Sequence, residues 1–283
     1  MLHKLRSLLD GLRPARRPTV KQRLAELEGT DARLRWEAAE ALSPHCQNPE
    51  VAKALVGALG DPHPFVRWQA GESLARCRSE SVLALLQVEL ASKDSHRRSS
   101  AADTLGKVGN RQAVAALCKA LASRSTEVRC SAAEALARLT DPSALPALTK
   151  ALRDEDLQVR RAAIGAIGSA HAPESLALLS AELEGEQVLL RASAADALGK
   201  LADPRAVPLL QRALQDDDPA VRWHAARALG AVGDAATLSH LVPLLGDSTE
   251  VLGRTLADVA RVAGESIKRR EAERERRHAS KGL

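Results

Sequence analysis

Arg67, Arg98, Arg129, Arg160, Arg191 and Arg222 stand 31 residues apart along this chain, and Arg35 precedes the first of them by 32. Guanidinium groups at so regular a spacing suit two kinds of chemistry. They could bind successive phosphates, or each could hold a carboxylate inside the protein. An aspartate stands four residues before the arginine in four of the seven cases: Asp31, Asp94, Asp156 and Asp218. Trp36, Trp68 and Trp223 each directly follow an arginine of the series, with Phe65 near Trp68 and His224 beside Trp223. No H-E-x-x-H, P-loop or G-x-S-x-G motif occurs, so three common catalytic arrangements have no support. Cys46, Cys77, Cys118 and Cys130 lack a C-x-x-C spacing, and they read as free thiols with no metal site.

The spacing of the arginines is the period of a repeat. With each arginine as position zero, +3 is always alanine (Ala38, Ala70, Ala101, Ala132, Ala163, Ala194, Ala225) and +7 is always Leu or Ile. Position −1 is apolar except at Arg97. Positions −1, +3 and +7 form the i, i+4, i+8 stripe of a helix, which predicts the buried face. Position +8 is always Gly, Ala or Ser, small enough for close approach of a neighbouring helix. Ser79, Asn110, Asp141, Asp203 and Asp234 stand at +12, with Asn48 in that role in the first repeat, and such residues start helices. Each repeat is therefore a helix hairpin, and hairpins must stack to cover their apolar faces. The fold expected is all-α, a right-handed superhelix of about eight helix pairs over residues 19–264. The last pair is degenerate, because Gly253 stands where the arginine should be.

The segment DPAVRWHAARALGAVG, from Asp218 to Gly233 and followed by Asp234, resembles the HEAT-like repeats of the phycobilisome-lyase type. The resemblance covers residues 19–264. It implies that the arginines belong to a ladder of Asp–Arg hydrogen bonds along the loops between helices, with Asp31, Asp94, Asp156 and Asp218 as partners. The ladder is preferred here to the phosphate stripe. The resemblance also implies that the arginine-bearing helices line the concave side. At about 100° per residue, +1 lies roughly 160° from the centre of the buried stripe, so the tryptophan rings should face outward. Two readings of Trp36, Phe65, Trp68, Trp223 and His224 stand open. They are anchors for a partner, or the rings lie flat and thicken the inner wall. The first two repeats are favoured, since Trp36, Phe65 and Trp68 should be close together.

Composition bounds the rest. Aromatic content is 1%, with no Tyr. No run of eighteen apolar residues and no secretory signal are found, so a soluble cytoplasmic protein is expected. Residues 1–24 carry seven Lys or Arg against Asp10, and residues 265–283 carry seven against four acids. The chain between them holds 27 bases and 31 acids, so the basic balance belongs to the ends. Residues 1–18 comprise a basic amphipathic helix with Leu2, Leu5, Leu8, Leu9 and Leu12 on one face, then a Pro/Arg linker. That helix either covers the first repeat or contacts an acidic surface or membrane. Residues 265–283 form a charged tail, and from Ser266 onward it is too polar to pack.

The function expected is a non-catalytic scaffold or adaptor that binds a protein or peptide on the concave face, with no cofactor. One alternative is an accessory subunit of the bilin-lyase type or of another enzyme. The deoxyhypusine hydroxylase relatives bind iron through His-Glu pairs, and none of the eight histidines here is followed by Glu. A second alternative is nucleic-acid binding. The outward positions carry seven bases and seven acids apart from the ladder, so nucleic acid is not expected on the solenoid.

Overall fold

The computed structural model describes residues 18–77 and 79–281, with the side chains of 278–281 excepted. The basic amphipathic segment lies, apart from Pro18, outside the described residues. Among those described are sixteen α-helices, short 3₁₀ turns and one small hairpin. The protein is an all-α solenoid of about eight helix pairs. Two compact units divide it, one ending at Leu86 and the other starting at Gln87.

The first unit contains Val20–Leu27 paired with Ala32–Leu42, then Pro49–Gly57 paired with Pro64–Cys77. A capping box starts the first helix, Thr19 accepting from the Gln22 backbone N–H while the Gln22 side chain accepts from that of Thr19. Leu42, Leu55, Leu59 and Leu74 are wholly buried. Ser73 donates its hydroxyl to the Ala39 carbonyl at 2.8 Å, which satisfies a buried polar group between successive helices.

A disulfide joins Cys46 to Cys77, 31 residues apart, with their Cα atoms 5.8 Å from each other. This corrects the expectation of four free thiols; Cys118 and Cys130 alone are free. Cys77 closes its arginine-bearing helix, and Cys46 stands just beyond the end of the preceding one. One repeat length in sequence is one step between packed helices, so the period brings their sulfurs together.

In the second unit the arginine-bearing helices are Ser95–Val108, Thr126–Leu139, Leu157–Ala170, Val188–Leu201 and Pro219–Val232, each packed on the next. The +3 alanines and +7 Leu or Ile residues are at most 2% exposed throughout the chain, as the stripe requires. The small residue at +8 has a definite role. A Cβ on Gly168 would stand 2.7 Å from the Ala197 carbonyl oxygen and 2.9 Å from its Cα. The helices therefore touch backbone to side chain.

The last repeat departs from the frame. Residues Glu250–Val251 pair antiparallel with Arg254–Thr255, and Leu252 and Gly253 turn the hairpin with φ of 53° and 75°. Gly253 thus sits in a turn rather than in a degenerate helix, its left-handed φ suiting a residue without a Cβ. The final helix starts only at Leu256 and runs unbroken to Lys281. The boundary expected at residue 264 falls inside it. Ile267 is wholly buried, and Arg270 Nη2 donates to the Gly233 carbonyl at 2.7 Å while Nη1 contacts that of Gly230. Both acceptors lie at the C-terminal end of Pro219–Val232, where helical carbonyls lack partners. The first turns of the charged tail therefore pack, because one apolar and one arginine side chain fall on the inward face. No helix among the described residues is long and apolar enough to cross a membrane.

Candidate functional site

The arginine ladder is present, and its aspartates are not the expected ones. Asp31, Asp94, Asp156 and Asp218 are N-caps, accepting from the backbone N–H groups of Arg33 and Leu34, His96, Gln158 and Val159, and Ala220. An aspartate four residues ahead of the arginine begins its helix, and its carboxylate is committed to the backbone there. The true partner lies six residues before the arginine of the following repeat. Arg35 donates to Asp61 through Nε at 2.6 Å and Nη2 at 3.0 Å. Arg129 does the same to Asp154 at 2.7 and 2.8 Å, and Arg191 to Asp216 at 2.8 and 2.9 Å. Arg222 stands 3.7 Å from Asp247.

The remaining Nη1 reaches back to two loop carbonyls of the arginine's own hairpin. Arg67 takes Asp61 and Pro62 at 2.8 and 3.2 Å, and Arg98 takes Ser92 and Lys93 at 2.7 and 3.0 Å. Each complete rung therefore ties a loop to itself and to the next hairpin. Arg67, Arg98 and Arg160 have Ser92, Ser123 and Gly185 at the partner column, and Arg160 Nε is buried without a partner. In the complete rungs burial alone would push the Asp154 and Asp216 carboxyls up. The arginine hydrogen bonds, a backbone N–H and the nearby charges outweigh it and hold both below the usual carboxylate range.

The aromatic residues divide into two places. Trp36, Phe65 and Trp68 line one cleft of about 560 Å³ in the first unit, together with Ala32, Arg33 and His63. Phe65 is 66% exposed and Trp68 52%, while Trp36 is half-buried. The His63 and Phe65 rings lie 5.6 Å apart. Arg33 is drawn to Glu37 at 2.9 Å along its own helix, so the cleft keeps an apolar wall under a neutralised rim. His63 was not among the sequence candidates. It stands four residues before Arg67, the position that holds an aspartate in four other repeats, and this departure from the column was the available signal.

Trp223 and His224 belong to the second unit and have a different setting. Both are half-buried, and their rings meet edge to face with centroids 5.0 Å apart. The Arg227 guanidinium lies 5.4 Å from the Trp223 ring centroid and pairs with Asp196. The outward setting expected of this tryptophan is corrected. Arg227 is one helical turn further on, where residues meet on a helix surface, and it covers the ring as a cation–π partner. Trp223 Nε1 and His224 Nδ1 are buried without hydrogen-bond partners. Burial first, and then the Lys200 charge, lowers the His224 pKa, so this imidazole is held neutral.

Some ion pairs on the outward helix faces also cross between repeats. Asp103 receives Lys107 of its own helix and Arg138 of the next, each at 2.8 Å. Among the described residues no group of three or more His, Cys, Asp or Glu could hold a metal ion.

Stacked helix hairpins tied by an inter-repeat arginine ladder define an α-helical repeat protein. Models of HEAT repeats match residues 20–106, 88–168, 114–187 and 176–260, and the chain belongs to that family. Its fold is similar to that of YibA of Escherichia coli, at 19% identity and a TM-score of 0.58, over 89% of this chain and 93% of that one. It is also similar to Kap95p, whose binding induces the switch loops of RanGDP to adopt the GTP-bound conformation. There the identity is 12% and the TM-score 0.62, over 90% of this chain and 41% of that one. The complex of CpcE and CpcF of phycocyanin lyase from Nostoc sp. PCC7120 gives 26% identity and a TM-score of 0.44, over 90% and 97% of the two chains. No curated protein matches the sequence.

Proposed function

We propose that this protein is a non-catalytic scaffold that holds an apolar segment of a protein partner in the cleft of Trp36, Phe65 and Trp68. The observation that carries this reading is the concentration of aromatic surface. The chain has one Phe, three Trp and no Tyr, and three of those four rings line one cleft with Phe65 and Trp68 mostly in water. Folding gains nothing from the ring area left exposed, whereas a partner that covers it gains that area.

The disulfide bears on where this happens. The cytoplasmic expectation rested on the lack of an apolar run and of a secretory signal, and a Cys46–Cys77 bond fits an oxidising compartment better. Phe65→Ala with Trp68→Ala tests the reading, since both side chains are exposed and their loss leaves the core intact. Affinity capture with the full chain should recover a partner that the double variant, matched in helicity and melting temperature, loses. Identical recovery by both proteins would sink the proposal.

A further inference from the structure

Two clefts in the second unit occupy the same place three repeats apart, and they differ in charge. In one, of about 460 Å³, the lining includes Arg191, Asp216, Arg212 and Glu184. Each of its cations has a carboxylate, Arg191 taking Asp216 at 2.8 and 2.9 Å and Arg212 taking Glu184 at 3.3 Å, and Asp217 lines it as a third acid. The positions 93 residues earlier are Arg98, Ser123, Lys119 and Ala91, and all four line a cleft of about 590 Å³. Both cations are kept, the two acids that pair with them are gone, and Arg124 stands where the third acid, Asp217, does.

Among the described residues nothing replaces those acids. Arg98 spends Nη1 on the Ser92 and Lys93 carbonyls, which leaves Nε and Nη2 free, the edge that grips Asp216 in Arg191. The neighbouring acids are engaged elsewhere. Asp94 caps its helix through the His96 N–H, Glu89 faces Arg97 at 3.4 Å, and Glu127 accepts from the Ser99 hydroxyl at 2.9 Å. The lining contains no carboxylate, and Leu90, Val128 and several alanines make its floor.

We propose that this cleft binds a pair of carboxylate side chains on a peptide segment of a partner. One carboxylate takes the place that Asp216 fills in the matched cleft, against the Arg98 fork and the Ser123 hydroxyl. The other takes the place of Glu184, against Lys119. The Arg98 guanidinium is already held by two carbonyls, so little freedom is lost when the ligand arrives. A planar fork suits a carboxylate bidentately, and the lysine acts as a point charge beside it. The apolar floor favours a peptide with aliphatic neighbours over a bare anion. This site stands independently of the aromatic cleft.

The test uses the full chain labelled with ¹⁵N-arginine and the peptide acetyl-Leu-Glu-Glu-Leu-amide, followed by NMR at the Arg98 Nε–H. Saturable shifts of that resonance are expected. The variant Ser123→Asp with Ala91→Glu refills the cleft with its own acids, as in the matched cleft. It should bind at least about tenfold more weakly and melt higher. Lys119→Ala should weaken binding as well, with the melting temperature unchanged. Absence of an Arg98 shift, or equal binding by the refilled variant, would overturn the site. Glutarate or inorganic phosphate binding as tightly as the peptide would overturn its assignment to a peptide carboxylate pair.

Discussion

Arg191 and Asp216 face each other across successive hairpins and share two parallel hydrogen bonds of 2.8 and 2.9 Å, with both side chains largely out of water. The rung also fixes the loop before Arg191 through the Gly185 and Glu186 carbonyls. Breaking such a pair from one side leaves an uncompensated charge, so Asp216→Ala should destabilise the fold by about 3–5 kcal/mol. Urea denaturation would measure it, and a loss no larger than that of an exposed pair would show that the rung is not structural.

The same rungs set an acid limit. Asp154 and Asp216 have folded-state pKa values below their ordinary ones, so they bind protons more weakly folded than unfolded. Their contribution is full above the unfolded value, roughly 3.9, and is lost as pH falls through the lower folded value. Melting temperature measured from pH 7 to pH 3 should drop at the acid end. In Asp154→Asn with Asp216→Asn it should start lower and fall less.

Close approach of helices predicts opposite signs for two glycines three residues apart. Gly168→Ala forces a methyl against the Ala197 backbone and should cost about 1–3 kcal/mol. Gly165→Ala meets nothing within 4 Å in the same helix and should stabilise by about 0.5–1 kcal/mol. Thermal melts of the two single variants decide it.

The Cys46–Cys77 bond predicts two titratable thiols in unreduced, denatured protein, from Cys118 and Cys130, and four after reduction. Cys46→Ala with Cys77→Ala should lower stability by about 2–4 kcal/mol. Four thiols before reduction would refute the bond.

Ile267 is wholly buried in the final helix, so Ile267→Ala should cost about 2–5 kcal/mol. Truncation after residue 264 removes Arg270 as well and should cost more, which calorimetry would measure.

The hairpin, its period and its buried stripe were legible because packing repeats in sequence, except that Leu34, at −1 of the first repeat, is 43% exposed. Ala163 and Ile167 are wholly buried for the reason their spacing announces. The ladder was legible only in half, because an arginine column identifies one member of a pair that crosses between hairpins. Asp156, four residues from Arg160, was the nearer acid and the wrong one. The column of Asp61, Asp154, Asp216 and Asp247 was there to be read. The disulfide was hidden because no local motif marks it, though its spacing equals the repeat. Ile267 was missed because one apolar residue in a charged run gives no periodic signal. In the candidate site, Trp36 and Trp68 were placed by their column, and Trp223 failed because Arg227, a turn away, covers it.

Photo-crosslinking from position 65 tests the binding role of the aromatic cleft most directly. With a photoreactive phenylalanine analogue in place of Phe65, the full chain in its native cell should give discrete protein adducts. They should disappear when Trp68→Ala is added while the chain stays folded. No adduct, or adducts that persist without Trp68, would contradict a cleft that holds a protein partner.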